Sequence, residues 1–285
     1  MTSAKRIQPG KASDKIVFLG GGRITAALLT GLRLAKYRAP IVVHDRNAHK
    51  LHALQAEFGI TPEPDLQRTL EQARLLILAV RPANVAGVLG AIQHIVPASN
   101  VLHKRKNIVA CSLAAGIPLA RLRNLSGSLF LWARAMPSPV ARTGNGLTAV
   151  AFDGRLPLAG RDRLQNFFEN VSSVVEVPER QFDTFTATYS PSHGYHAVKT
   201  LATAAHQLGL DRKTAFAAAA HALADAIHSW RDGDESLDAL LHEAATPGGI
   251  AATVMKTMDD SGYARIVRNA LRAGRARAQA NARLR

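Results

Sequence analysis

The chain has 285 residues, 47% of them hydrophobic, so it is long enough to bury a sizeable core and has the composition of a globular protein. Its single cysteine, Cys111, excludes an internal disulfide framework and is typical of a reducing compartment, so we expect a cytoplasmic protein. The longest apolar run, residues 75–80, has the length of a buried strand and is too short to span a membrane.

The net charge of +15 is concentrated at the two ends of the chain. The segment from residue 265 onward contributes +7 and the first 15 residues contribute +3, which together make up 10 of the 15 charges. The sequence between them is only mildly basic and lacks the interleaved aromatic residues of a surface that stacks single-stranded bases. We therefore expect no nucleic acid as a partner, although strongly basic chains often bind one.

Residues 1–14 are predicted to form a flexible basic leader, after which strand-like and helix-like segments alternate. Strand-like runs occupy residues 16–19, 41–45, 75–80 and 108–111, with amphipathic stretches between them. This alternation predicts βαβ units around a parallel sheet, and so an α/β domain over residues 15–177. Three further runs extend the sheet, at residues 129–134, 147–152 and 174–177.

The character of the sequence changes after Pro178, where no convincing strand follows. Apolar residues recur at three- and four-residue steps over 213–230, which predicts a helix, and Asp211 stands at its N-cap position. Shorter helices are predicted at residues 237–243 and 250–258, and a last one from about residue 263. We therefore predict an all-α C-terminal domain over residues 178–285, with the apolar stripe of 213–230 in its core or in a dimer seam.

A glycine-rich segment, Gly20 to Thr25, directly follows the first predicted strand and opens the first helix. Gly20 permits a tight turn and Gly22 lets a pyrophosphate approach the helix N-terminus formed by Arg23 and Ile24. The sixth position of this fingerprint is Thr25, where glycine or alanine is usual. The strand before and the helix after favour a dinucleotide site of the Rossmann type over a glycine-rich turn without a ligand.

The second predicted strand ends at Asp45, Arg46 and Asn47, which we expect to bind the adenosine ribose. An acidic residue here binds the 2′-hydroxyl of NAD, whereas an arginine just beyond it accommodates the 2′-phosphate of NADP. Arg46, with Lys50 one turn later, favours NADP(H) over NAD(H). The alternative interpretation is that Arg46 is a solvated loop charge.

The third predicted strand ends in a turn that should face the cofactor, because ligands of such sheets lie outside the carboxyl ends of the strands. The residues of this turn are Ala79, Val80, Arg81 and Pro82.

The order and spacing of several segments resemble the pyrroline-5-carboxylate reductase family over residues 15–280. The GAGNMA-type fingerprint of that family is matched loosely by residues 20–25. Five further patterns of the family have counterparts here: AVKP at residues 79–82, serine-x-A-A-G at 112–117, MPNTPALVGEGMTA at 136–149, GLPR at 209–212 and SPGG at 246–249.

The resemblance implies that hydride passes from a nicotinamide cofactor to a small cyclic imine, most specifically 1-pyrroline-5-carboxylate, which becomes proline. It implies further cofactor contacts from Ala114, Met136 and Pro137, and a homodimer or higher homo-oligomer formed through the C-terminal helices. The residues that it assigns to the substrate are Ser190, Ser192, Thr246, Gly248 and Gly249.

The chain departs from the family pattern in the half that binds substrate. The segment SGSGPAY is replaced by residues 190–196, in which Pro191 and His193 stand where the family has glycines, and the threonine pair after SPGG becomes Ile250 and Ala251. A histidine such as His193 could donate a proton to the reduced nitrogen, or could simply cap a helix. His193 and His196 are three residues apart, as metal ligands can be, but the sequence shows no second cluster of ligands, so no metal is expected.

Two alternative functions therefore stay open beside the reductase. A paralogue on the same scaffold would reduce a different imine or a carbonyl. A dinucleotide-binding protein without turnover would bind the cofactor, but no imine would oxidise it.

Overall fold

The computed structural model describes residues 15–105 and 107–284, and the predicted leader at residues 1–14 lies outside them. The described chain forms two compact units, one built from residues 15–189 together with 274–284, the other from Ser190–Ala273.

The first unit contains one eight-stranded sheet. Its strands are β1 (Ile16–Leu19), β2 (Ile41–His44), β3 (Thr61–Pro62), β4 (Leu75–Leu78), β5 (Ile108–Ser112), β6 (Phe130–Met136), β7 (Gly146–Phe152) and β8 (Ser172–Glu176). They lie in the order β3-β2-β1-β4-β5-β6-β7-β8, and every neighbouring pair is parallel except β6 with β7. The first six strands have the order of a Rossmann sheet, in which successive strands are added on one side of β1 and then, from β4 onward, on its other side.

Helices cover both faces of this sheet. They are α1 (Arg23–Leu34), α2 (Ala48–Phe58), α3 (Leu66–Gln72), α4 (Val85–Ala98), α5 (Leu119–Ser126), α6 (Leu158–Glu169) and α7 (Glu179–Thr188). Side chains of a strand point alternately to opposite faces, so Ile16 and Phe18 enter one apolar core while Val17 and Leu19 enter the other. The continuous apolar runs of β1 and β4 are thus explained by burial on both sides.

The second unit is helical. It contains α8 (Pro191–Gln207), α9 (Arg212–Asp232), α10 (Leu237–Ala244), α11 (Ile250–Asp260) and the first part of α12 (Tyr263–Asn281), whose last turns belong to the first unit. Asp211 caps α9, since its carboxylate accepts hydrogen bonds from the backbone N–H groups of Lys213 and Thr214. The apolar stripe of α9 is exposed on the single chain: Phe216, Ile227 and Trp230 are 40–53% accessible.

The predicted fold class, an α/β nucleotide-binding domain followed by a helical domain, is confirmed. The helix predicted at 213–230 spans Arg212–Asp232. The strand β3 was not predicted, and β7 runs antiparallel to β6. The domain boundary between residues 177 and 178 stays a prediction; α7, which follows it, belongs to the first compact unit. None of the described helices combines the length and apolar character that a bilayer crossing needs.

Candidate functional site

The glycine turn after β1 is held between the ends of two other strands. Gly20 adopts a φ of +110°, and its N–H donates to the carbonyl oxygen of His44 at 2.8 Å. A β-carbon at Gly20 would stand 2.7 Å from the carbonyl oxygen of Ala79, at the end of β4. Both the positive φ and this close approach require glycine, so the turn is pinned at the carboxyl edge of the sheet.

The N-terminus of α1 is open toward this edge. Gly22 is its N-cap residue and no side chain caps the helix, which also has no acidic residue in its first turn. A β-carbon at Gly22 would meet no atom within 4 Å. The first-turn N–H groups, including those of Arg23 and Ile24, therefore form the kind of helix terminus that binds a phosphate.

Thr25 accounts for the departure at the sixth position of the fingerprint. Its side chain is fully buried, and its hydroxyl donates a hydrogen bond of 2.6 Å to the carbonyl oxygen of Gly20. This position thus stabilises the turn through a side-chain hydrogen bond that glycine or alanine could not make.

At the end of β2, the carboxylate of Asp45 is engaged by backbone N–H groups. Its Oδ2 accepts from Gly21 at 2.8 Å and its Oδ1 from Asn47 at 2.9 Å, while Lys50 Nζ lies 3.9 Å from Oδ2. Asn47 in turn caps α2 by accepting from the N–H of Lys50. An open cavity of about 600 Å³ adjoins them, lined by Asp45, Arg46, Asn47, Ala48, His49 and Lys50.

The turns after β4 and β5 lie at the same edge of the sheet. The N–H of Ala79 donates to the carbonyl oxygen of Leu19 at 2.8 Å, and that of Leu113 to the carbonyl oxygen of Leu78 at 2.9 Å. Ser112 then accepts from the N–H of Ala114 at 3.2 Å. The structure therefore brings together the predicted cofactor segments at the ends of β1, β2, β4 and β5. Val80 is partly buried, Arg81 is exposed, and Pro82 begins a short 3-10 turn before α4.

The segment after β6 packs against α1. Met136 ends the strand, the buried Pro137 follows, and Ser138 caps the short 3-10 helix Pro139–Thr143. A β-carbon at Gly31 of α1 would stand 2.2 Å from the carbonyl oxygen of Ala141 in that helix. This close approach was not predicted from the sequence.

A buried arginine connects β6 to α7. Arg134 is 2% exposed and donates to Glu179 Oε1 and Asp183 Oδ1, each at 3.0 Å, with its guanidinium 4.4 Å from the ring centre of Phe182. Glu179 Oε1 also accepts from the N–H of Leu119 at 2.9 Å. Glu179 therefore joins the N-terminus of α5 to strand β6. This group was not predicted from the sequence.

The only cysteine lies beside that arginine within the sheet. Burial raises the pKa of the Cys111 thiol well above its ordinary value, and the positive charge of Arg134 lowers it by less. The thiol is therefore protonated and buried, which suits a packing role. Among the residues that the structure describes, no three or more histidine, cysteine, aspartate or glutamate side chains cluster as metal ligands would.

The predicted substrate residues belong to the second unit and lie at two helix N-termini. Ser190 caps α8, and its hydroxyl lies 2.7 Å from that of Ser192. The backbone N–H of His193 donates to the carbonyl oxygen of Ser190, and the residue is exposed.

The other predicted substrate segment precedes α11. Gly248 has a φ of +77°, and Gly249, the N-cap residue, donates its N–H to the carbonyl oxygen of Thr246 at 2.8 Å. No side chain caps α11, and the next residue, Ile250, is 87% exposed. Substrate roles for these residues stay predictions.

Two family models match the chain. Residues 179–281 match the model described as pyrroline-5-carboxylate reductase dimerisation, and residues 15–103 match one described as NADP oxidoreductase, coenzyme F420-dependent. The second match covers the glycine turn and the end of β2.

Full-length relatives agree with the first of these models. The chain is 26% identical to the pyrroline-5-carboxylate reductase of Mycobacterium leprae, covering 93% of this chain and 96% of the relative, and 26% identical to that of Escherichia coli, covering 87% and 91%. In fold it resembles the solved pyrroline-5-carboxylate reductase of Coxiella burnetii, with a TM-score of 0.83 at 23% identity over 94% and 98% of the two chains.

A second solved structure, the pyrroline carboxylate reductase of Plasmodium falciparum with NADP bound, gives a TM-score of 0.80 at 18% identity over 96% of this chain and all of that one. The likeness thus runs through both compact units, and its helical part has its own family model. Over nearly its whole length the chain is similar to pyrroline-5-carboxylate reductases, and residues 179–281 match the dimerisation model of that family.

Proposed function

We propose that this chain is an NADPH-dependent reductase that converts 1-pyrroline-5-carboxylate to proline. The observation that carries the proposal is the likeness, over 87–93% of the chain, to proteins named for this activity. The nicotinamide cofactor supplies the hydride that reduces the imine carbon. The task left to the protein is to hold both reactants in a reactive geometry and to supply a proton.

The edge of the sheet at the glycine turn is suited to hold the dinucleotide. The uncapped first turn of α1 offers N–H groups to the pyrophosphate, and the open space beside Gly22 lets the phosphates approach them. The turn after β4 would contact the middle of the cofactor, and Ala114, Met136 and Pro137 would line the nicotinamide. This assignment follows from their common location at the carboxyl ends of the strands.

The cavity beside β2 supports a preference for NADP(H) over NAD(H). Arg46, His49 and Lys50 line it, with Asp45 as its one acidic residue. Arg46 is exposed, and both carboxylate oxygens of Asp45 already accept hydrogen bonds. A 2′-phosphate would find basic side chains here, whereas a 2′-hydroxyl would have to share a carboxylate oxygen that already accepts from a backbone N–H.

We propose that the substrate carboxylate binds at the helix N-termini of the second unit. Ser190 and Ser192 offer hydroxyl groups. Gly248 offers a backbone N–H group beside the turn that Thr246 closes, and Gly249 begins the uncapped first turn of α11. His193, one residue beyond the serine pair, would donate the proton to the nitrogen of the reduced imine. If it does, His193→Gln lowers kcat and removes a limb of the pH–rate profile, whereas a helix-capping role leaves the profile unchanged.

A homodimer through the C-terminal helices is supported by the family model and by exposed apolar side chains. Phe216, Ile227 and Trp230 of α9 are joined by exposed residues on later helices, among them Val254 and Ile266. Exposed apolar groups in such number are typical of an interface between subunits. The lone buried cysteine supports a cytoplasmic location.

A substrate panel tests the proposal against its alternatives. NADPH oxidation is followed with 1-pyrroline-5-carboxylate, with six-membered cyclic imines and with the corresponding ketones. The proposal predicts the highest kcat/KM for 1-pyrroline-5-carboxylate. A higher value for another imine would identify a paralogue, and tight NADPH binding without oxidation by any compound would identify a protein without turnover.

A further inference from the structure

The acidic residue at the end of β2 makes contacts that differ from those expected of a ribose ligand. In a Rossmann fold that binds NAD, this carboxylate accepts hydrogen bonds from the ribose 2′-hydroxyl. Here Asp45 Oδ2 accepts from the N–H of Gly21 and Oδ1 from the N–H of Asn47, at 2.8 and 2.9 Å. The side chain is only 16% exposed, so these contacts turn it inward, toward the protein.

The contact with Gly21 joins two segments that the sheet alone does not connect. Gly21 is the middle residue of the phosphate-binding turn, and 24 residues separate it from Asp45. A β-carbon on Gly21 would already stand 3.0 Å from Leu54 of α2 and 3.5 Å from Asp45 Oδ2, so the turn sits tightly against this wall. The carboxylate therefore supplies the acceptor for a partly buried backbone N–H of this turn.

The charge of Asp45 is also balanced locally. Lys50 Nζ lies 3.9 Å from Oδ2, and two N–H dipoles point at the carboxylate. A negative charge neutralised in this way repels a nearby phosphate less than a free carboxylate would. The basic side chains of the adjoining cavity can then attract a 2′-phosphate with less repulsion from Asp45.

We propose that Asp45 is a positioning residue that fixes the Gly20–Gly22 turn for the pyrophosphate and does not bind the ribose. Selection between NADPH and NADH then depends on Arg46, His49 and Lys50. This inference rests on the proposed cofactor site but not on the identity of the imine.

The two roles predict opposite changes in NADPH affinity after one substitution. If Asp45 fixes the turn, Asp45→Ala weakens the binding of NADPH and of NADH by a similar factor, about tenfold, because the pyrophosphate site is common to both. If Asp45 binds the ribose, the same change weakens the binding of NADH and strengthens that of NADPH. Asp45→Asn keeps one side-chain oxygen for the N–H of Gly21 and is expected to restore most of the affinity for both cofactors.

The experiment measures dissociation constants of both cofactors for the full-length protein and for each variant by fluorescence titration. Asp65→Ala serves as the matched control, since Asp65 caps α3 through a similar hydrogen bond to the N–H of Arg68. We expect the ratio of the two constants to stay within about twofold of the wild-type ratio in Asp45→Ala. A ratio that shifts tenfold toward NADPH would overturn the proposal.

Hydrogen exchange without nucleotide provides a second measurement. We expect faster exchange in peptides that contain Gly21 in Asp45→Ala, near-normal exchange there in Asp45→Asn, and no change there in Asp65→Ala. Unchanged exchange in Asp45→Ala would overturn the proposal. Neither measurement requires turnover, so failure of the protein to reduce 1-pyrroline-5-carboxylate would contradict the proposed function and leave this inference intact.

Discussion

A methyl group on Gly116 would stand 1.8 Å from the carbonyl oxygen of Ala278, so the last turns of α12 contact the loop that follows β5. Asn281 strengthens this contact by donating a hydrogen bond of 3.1 Å to the carbonyl oxygen of Ala115. The loop is the one that carries Ala114, which we assign to the nicotinamide. The end of the chain therefore supports the nucleotide-binding unit directly.

The first prediction concerns that contact. Gly116 has a φ of +76°, so Gly116→Ala adds backbone strain to a steric clash with Ala278. We expect a loss of about 3 kcal/mol or more in the free energy of unfolding, measured by urea denaturation. Gly87→Ala within α4 is the control, because its β-carbon would meet nothing within 4 Å. It should stabilise the helix by about 0.5–1 kcal/mol, and equal losses in both variants would contradict the account.

The second prediction concerns the buried arginine. Glu179→Ala removes the oxygen that accepts from both Arg134 and Leu119, which leaves a buried guanidinium with Asp183 as its remaining carboxylate partner. We expect about 2–3 kcal/mol of destabilisation by urea denaturation. Asp260→Ala breaks an exposed ion pair with Lys256 and should leave the midpoint unchanged within error. An unchanged midpoint for Glu179→Ala would refute the structural role of this pair.

The third prediction concerns the preference for NADP(H). Arg46→Ala removes a charged donor from the cavity beside β2, so KM for NADPH should rise about tenfold or more while KM for NADH changes little. Steady-state kinetics with each cofactor measure the change. Arg38→Ala, an exposed arginine that precedes the opposite end of β2, should alter neither value. Equal rises in both KM values after Arg46→Ala would argue against a 2′-phosphate contact.

The fourth prediction concerns acid stability. Burial by itself raises the pKa of Asp153, but hydrogen bonds from Arg123 and Arg155 outweigh it, so the pKa lies below its ordinary value. A carboxyl whose pKa is lower in the folded state stabilises the fold when ionised, and this contribution is lost as the pH falls below about 4. Asp153→Asn should therefore be less stable than wild type at neutral pH, with the difference narrowing in acid.

Urea denaturation at several pH values measures that difference. Asp162→Asn, at an exposed position of α6, is the control and should follow the wild-type curve throughout. A difference for Asp153→Asn that stays constant from neutral pH into acid would show that its carboxylate charge does not stabilise the fold.

Elements with strong periodicity were predictable from the sequence. The apolar run of β1 and the three- and four-residue spacing of α9 agree with the structure to within two residues at each end, because burial determines both patterns. Thr61–Pro62 is too short to show any period. The antiparallel direction of β7 follows from its short connection to β6, since a parallel pair needs a longer crossover.

The site was predictable in its residues but less so in their roles. The spacing from the glycine turn identified Asp45, yet the hydrogen bond to Gly21 depends on the folded arrangement of two segments. Arg134 carries a signal in the sequence, a charge inside the otherwise apolar strand FLWARAM. Its partner lies 45 residues further along, and no local pattern connects the two.

Transfer of deuterium from the cofactor to the product tests the proposed reduction of 1-pyrroline-5-carboxylate. Protein, 1-pyrroline-5-carboxylate and NADPH deuterated on the transferable face of nicotinamide C4 are combined, and the product is analysed by mass spectrometry. We predict proline that carries one deuterium on the former imine carbon, formed in proportion to the NADPH consumed. NADPH that binds without forming labelled proline would contradict the account.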